Sequence, residues 1–140
     1  MGLILCATRG GEASYRTQQA AIALAKEQSD EIAFLYIIDL HFLDKTAAPI
    51  VVDIENELDQ MGEFFLLMAK ERATEQGVEV RTITRKGNVQ EEIINAALDE
   101  GATRVVLGRP SGDQSAFEDS SLAAFAVEIE RVTEAIPVLV

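Results

Sequence analysis

The sequence predicts an α/β fold, an open parallel sheet with helices on both faces, in one domain spanning residues 1–140. Two observations predict this class, and a third sets its size. Short β-rich runs alternate with longer segments of helical period, which is the pattern of a βαβ series. Several of those runs are apolar at consecutive positions instead of every second one, as strands covered on both faces are. A chain of 140 residues sits in the range of one domain and buries roughly 68–70% of its unfolded surface, enough for a core without staples.

The first run, 3–7 (LILCA), is continuously apolar and is read as a strand covered on both faces. A helix is expected over about 12–28, with Ala13, Thr17, Ala20, Ala21 and Leu24 on one face; the small residues permit close approach to a sheet. The second strand is 32–38 (IAFLYII). The connection after it, roughly 39–52 (DLHFLDKTAAPIVV), is too apolar for a solvated linker and is expected to fold over the sheet edge or a ligand. The second helix is expected to begin near Asp53 as N-cap. It repeats Ile54, Leu58, Met61, Phe65 and Met68 and stops at Gly77. In 78–84 (VEVRTIT) polar and apolar residues alternate, which marks an edge strand. Asn88 followed by Glu91 resembles a capping box and opens a third helix that ends at Gly101. After the strand 104–107 (RVVL), Ser115 and Glu118 stand in the same relation ahead of a stripe of Leu122, Phe125, Ala126, Ile129 and Val132; the last strand is 137–140 (PVLV). No internal repeat or low-complexity tract is found.

Composition narrows the function. Acidic residues number 24 against 12 basic, a formal charge of -12. The field of such a molecule repels nucleic acid and anionic lipid surfaces, so neither is expected as a partner. The single cysteine, Cys6, lies inside the first apolar run, which excludes an intrachain disulfide and fits a buried thiol in a reducing, cytoplasmic compartment. No apolar run reaches the ~20 residues needed to cross a bilayer.

In an open parallel sheet, ligands collect beyond the carboxyl ends of the strands, where the strand order reverses. Two loops there share one composition: Thr8-Arg9-Gly10-Gly11-Glu12 after the first strand and Gly108-Arg109-Pro110-Ser111-Gly112 after the fourth. Each combines glycines for close backbone approach with an arginine and a following helix N-terminus, a combination that suits phosphate or carboxylate. If the two strands are neighbours, both guanidinium groups meet over one crevice. Strand-to-helix turns also use Gly and Ser for backbone reasons alone, so either loop taken singly is better explained as a connection, and only the two together make a ligand site an equal explanation. A nucleophilic triad is not expected, because the loop does not read Gly-x-Ser-x-Gly and the one histidine, His41, lies elsewhere. No Gly-x-x-x-x-Gly-Lys-Ser/Thr loop occurs, and one His with one Cys makes no soft metal site.

The runs Ala7-Thr8-Arg9-Gly10-Gly11-Glu12-Ala13-Ser14, Tyr36-Ile37-Ile38-Asp39, Gly77-Val78-Glu79-Val80, Gly87-Asn88-Val89-Gln90-Glu91-Glu92-Ile93, Val105-Val106-Leu107-Gly108 and Pro137-Val138-Leu139-Val140 together resemble the universal stress protein family from end to end. The resemblance implies a five-stranded parallel sheet of order 3-2-1-4-5. It also implies a homodimer through the last strand, Pro137, Val138, Leu139 and Val140. Nucleotide-binding members carry an aspartate after the first strand and, after the fourth, Gly, two residues, Gly, nine residues, then Gly-Ser or Gly-Thr. Here Arg9 stands at the aspartate position, Gly108 is kept, Ser111 occupies the second glycine position with Gly112 one residue late, and Ser121-Leu122 replace the closing pair. A Cβ where backbone must hug a phosphate removes room and access to positive φ.

The expectation is therefore a non-catalytic stress-response or regulatory domain with an altered site for a small anion or adenine nucleotide. Ala7, Thr8, Arg9, Gly10, Gly108, Arg109 and Gly112 would form the cradle, main-chain groups around Ile38 and Asp39 would touch a base, and Ser111 and Ser121 would add polar contacts. Two other readings stay open: a usual ATP- or AMP-binding member or slow ATPase, and an interaction module belonging to a larger transporter or kinase.

Overall fold

In the computed structural model, the described residues are 2–8, 12–39, 48–108 and 119–140. They form five parallel strands and four helices in strict alternation: β1 (Leu3–Ala7), α1 (Glu12–Gln28), β2 (Glu31–Ile38), α2 (Ala48–Glu75), β3 (Val80–Lys86), α3 (Val89–Glu100), β4 (Arg104–Leu107), α4 (Asp119–Thr133) and β5 (Ile136–Leu139). The sheet order is β3-β2-β1-β4-β5. The register places Ala7 beside Leu35 on one flank of β1 and Cys6 beside Val106 on the other.

The continuously apolar strands have the two-sided core they call for. Leu3, Leu5, Ala33, Leu35, Val105 and Leu107 face α3 and α4, packing against Ile93, Leu122, Phe125 and Ile129. Ile4, Cys6, Ile32, Phe34, Tyr36, Ile38 and Val106 face α1 and α2, packing against Ala21, Ile22, Ala25, Leu66, Ala69 and Ala73. The small residues of α1 and α2 are what let these helices lie close. At Gly62 of α2 even a Cβ would come within 2.5 Å of Tyr36 Cδ1.

Element ends follow local chemistry. Asn88 Oδ1 accepts from Glu91 N at 3.1 Å, and Gly101 closes α3 in the left-handed region at φ 67°. β3 is an edge strand, as its alternation predicts, but it runs two residues later than 78–84. Asp53 is not an N-cap: α2 starts at Ala48, so Asp53 lies inside the helix, and the apolar stretch ahead of it supplies the first turns, with Pro49 at a position where a missing N–H costs nothing. Ser115 and Glu118, expected to cap α4, lie outside the described residues; the buried stripe Leu122, Phe125, Ala126 and Ile129 is as expected. Cys6 is fully buried, and burial pushes its thiol up to about 12.

Candidate functional site

Because β1, β2 and β4 are parallel and adjacent, their carboxyl ends open on one rim, and the strand order reverses between β1 and β4. Ala7, Thr8, Ile38, Asp39 and Gly108 all sit on that rim. Arg9, Gly10, Arg109, Ser111 and Gly112 lie outside the described residues. Ser121 is an exposed residue in the first turn of α4, the helix that follows Gly108 in the chain order of elements.

Thr8 is fixed from two sides. Its N–H donates to Leu35 O at 2.8 Å, carrying the β1–β2 ladder one residue past the strand. Its Oγ1 accepts from Gln18 Nε2 at 2.6 Å, with both residues buried. Gln18 Oε1 in turn accepts from Arg72 Nη1 at 2.7 Å, and the Arg72 guanidinium lies 4.5 Å from the centroid of the Tyr15 ring. A guanidinium only donates, so Arg72 decides which way the Gln18 amide faces: Oε1 toward Arg72, Nε2 toward Thr8. The Thr8 hydroxyl therefore spends an acceptor lone pair on Gln18, and its hydrogen, which is given to no acceptor among the described residues, is suited to an anionic or carbonyl oxygen.

Gly108 supplies the other wall. A Cβ there would stand 2.5 Å from Thr17 Oγ1, so the carboxyl end of β4 and the first turns of α1 are in close contact only because residue 108 has no side chain. The third flank is the end of β2. The Ile38 carbonyl already accepts from Gly87 N at 3.0 Å, so this main-chain group is engaged inside the sheet. Nearby, Lys86 pairs with Glu55 and lies 3.7 Å from Asp59. The hydrogen bond to Glu55 holds its ammonium above the ordinary lysine value. Burial, with the Asp59 charge second, raises the Tyr36 phenol.

Sequence reasoning missed Gln18, Arg72 and Tyr15. Gln18 and Arg72 are 54 residues apart, and a glutamine or arginine on a helix reads as a solvated face. The one available signal is Gln18, a polar residue directly beside Thr17 on the small-residue face of α1.

A cavity of about 670 Å3 opens at the opposite end of the sheet, among Leu3, Asp30, Glu79, Arg81 and Thr103. Its buried carboxylate is already satisfied: Asp30 accepts from Gly2 N at 2.8 Å and from Arg104 Nη1 at 3.1 Å. Among the described residues no cluster of His, Cys, Asp and Glu could hold a metal ion, and no helix is long and apolar enough to cross a membrane.

Comparison with known proteins agrees with this architecture. The universal stress protein family model matches residues 1–131. Universal stress protein YxiE of Bacillus subtilis is 29% identical, with 98% of this chain and 96% of that protein covered. Among solved structures, a universal stress protein in complex with cAMP superposes with a TM-score of 0.71 at 16% identity, covering 99% of this chain and 96% of that one. A universal stress protein family protein of Arabidopsis thaliana with AMP bound gives 0.69 at 12% identity, covering 100% and 91%. At these identities the structural likeness is one of fold.

Proposed function

The chain belongs to the universal stress protein family, and on that premise we propose that it is a non-catalytic, cytoplasmic stress-response domain that binds a small adenine nucleotide at the β1/β4 rim. The observation that carries the reading is the adjacency of β1 and β4, which sets Thr8 and Gly108 on one rim at the reversal of strand order. The Thr8 donor, oriented through Gln18 and Arg72, suits an oxygen of the ligand. Arg9 and Arg109, on the loops that follow Thr8 and Gly108, would supply cationic partners for an anion in a protein of net charge -12. The two nucleotide-bound relatives hold cAMP and AMP. A monophosphate also fits the altered glycine spacing after β4 better than a triphosphate does, since Ser111 stands where backbone alone would hug a phosphate chain.

Thermal shift with AMP, cAMP and ATP tests this. A ligand at 100 times its Kd adds about 2.7 kcal/mol to stability, and AMP or cAMP should shift the melt more than ATP, with Arg9→Ala and Arg109→Ala each reducing the shift. No shift with any nucleotide would remove the binding claim. ATP turnover above the buffer rate would remove the non-catalytic one.

We also propose a homodimer through β5. Its inward N–H groups pair with β4, as Ile136 N to Thr103 O and Val140 N to Leu107 O show. The outward positions are then Pro137, which has no N–H, and Leu139. Pairing would therefore rest mainly on apolar side chains such as Ile136, which is 54% exposed. Sedimentation should give a dimer that Ile136→Asp converts to monomer; a monomeric wild type refutes it.

A further inference from the structure

Helix α2 breaks the usual rule for a surface helix. Its inner line is Gly62, Leu66, Ala69 and Ala73, all buried against the sheet. At roughly 100° per residue, Phe64 falls about 200° from both Gly62 and Leu66, at the solvent pole of the helix. Charged residues belong there. Instead Phe64 is 59% exposed, flanked by Leu67 at 54% and Met61 at 48%. The core does not need these side chains, and Phe65, which does pack inward, sits next to them with its ring 6.1 Å from that of Phe64. A stripe of this kind on a soluble face marks a docking surface, and methionine within it adapts to a partner's shape.

The surrounding charge selects the occupant. Over Asp53–Glu75 the exposed charged side chains are Asp53, Glu57, Glu63, Glu71 and Glu75, with Lys70 alone of opposite sign. A second copy laid on this stripe would bring carboxylate rim against carboxylate rim, Glu57, Glu63 and Glu71 of one facing the same residues of the other. An anionic membrane meets the same repulsion. A helix with apolar anchors flanked by Lys or Arg meets neither obstacle. We propose that the Met61–Phe64–Leu67 face of α2 is a docking site for a cationic amphipathic helix of a partner protein, laid along α2 with its anchors on Phe64 and its basic flanks over Glu57 and Glu71.

The test uses the full chain and two synthetic amphipathic helices as probes, one of leucine and lysine and one of leucine and glutamate, followed by fluorescence anisotropy. The wild type should bind the lysine probe and not the glutamate probe. Phe64→Ala should weaken binding at least tenfold, as loss of a central aromatic anchor does. The double variant Glu57→Gln/Glu71→Gln should weaken it several-fold and flatten its salt dependence. Both variants change exposed side chains, and unchanged melting temperatures would show that the fold is intact. Equal binding of the lysine probe by wild type and Phe64→Ala would overturn the proposal, since it would then be charge adhesion alone. It would also be overturned by self-association that Phe64→Ala abolishes, which would make a second copy the occupant, or by Phe64-dependent binding to anionic phospholipid vesicles.

Discussion

Gly108 and Thr17 compete for one small volume at the proposed site. With 2.5 Å between a residue-108 Cβ and Thr17 Oγ1, Gly108→Ala must displace either the strand end or the threonine, an overpacking that costs about 1–3 kcal/mol. Urea unfolding should show that loss, and in a Thr17→Ala background the same substitution should cost measurably less, because residues in contact couple. Equal costs in both backgrounds would mean that the contact is not what excludes a side chain. A second residue-scale expectation comes from Cys6, whose thiol burial holds at about 12 against an ordinary value of 9.0. Its folded value is raised, so the unfolded chain ionises first as pH climbs. The associated stability is fully present below about pH 9 and is lost between there and about 12. The Tyr36 phenol, also raised by burial, acts in the same direction. Stability measured by urea should fall from pH 8.5 to 10.5, less steeply in Cys6→Ala than in the wild type, whatever that variant's starting stability.

Elements were most legible where a single residue type carries a backbone duty. Asn88 and Gly101 bracket α3 as the sequence predicts because an Asx side chain facing a free N–H and a left-handed closing residue are local requirements. Asn88→Ala should cost about 1 kcal/mol in urea unfolding; a neutral result would mean solvent replaces the cap without loss. The start of α2 was not legible, since Asp53 looks like a cap whether or not the apolar residues before it are already helical, and packing rather than capping decides that. The edge of β3 was visible in its alternation, but its ties to β2 and α3 were not. Arg85 donates to Glu92 at 2.7 Å and to Asp99 at 3.0 Å, and Arg81 to Glu31 and Glu100, so the exposed edge is also charged and pinned. Hydrogen bonding from Arg85 holds the Glu92 carboxyl below its usual 4.5. A lowered folded value means stability that is present above about pH 4.5 and lost as pH falls through the folded value. Arg85→Ala should therefore flatten the acid limb of a stability profile below pH 4.5, and an unchanged limb would show the pair to be inconsequential.

At the scale of the whole molecule, periodicity gave the strands and helices but not their lateral order, because every βαβ unit reads alike along the chain. The order came from the resemblance, and the pairing of β1 with β2 and β4 agrees with it. The rim was partly legible for the same reason: once the order is known, Thr8 and Gly108 must be neighbours, whereas the Gln18–Arg72 support joins two helices whose polar residues look solvated in sequence. Charge acts at this scale too, in two opposed ways. The local pairs, such as Arg85–Glu92 at 2.7 Å and Arg104–Asp30 at 3.1 Å, are partly buried and short. The uncompensated charge of -12 acts over distances comparable with the molecule. Salt at about 0.15 M has a Debye length of about 8 Å, so it removes the long-range repulsion while leaving buried pairs nearly intact. Range therefore decides the sign: sodium chloride should raise the melting temperature at pH 7. The choice of salt matters, because sulfate would stabilise any fold through exclusion from its surface and could not separate the two. A melting temperature that falls with sodium chloride would show that the short pairs outweigh the self-repulsion of the acidic chain.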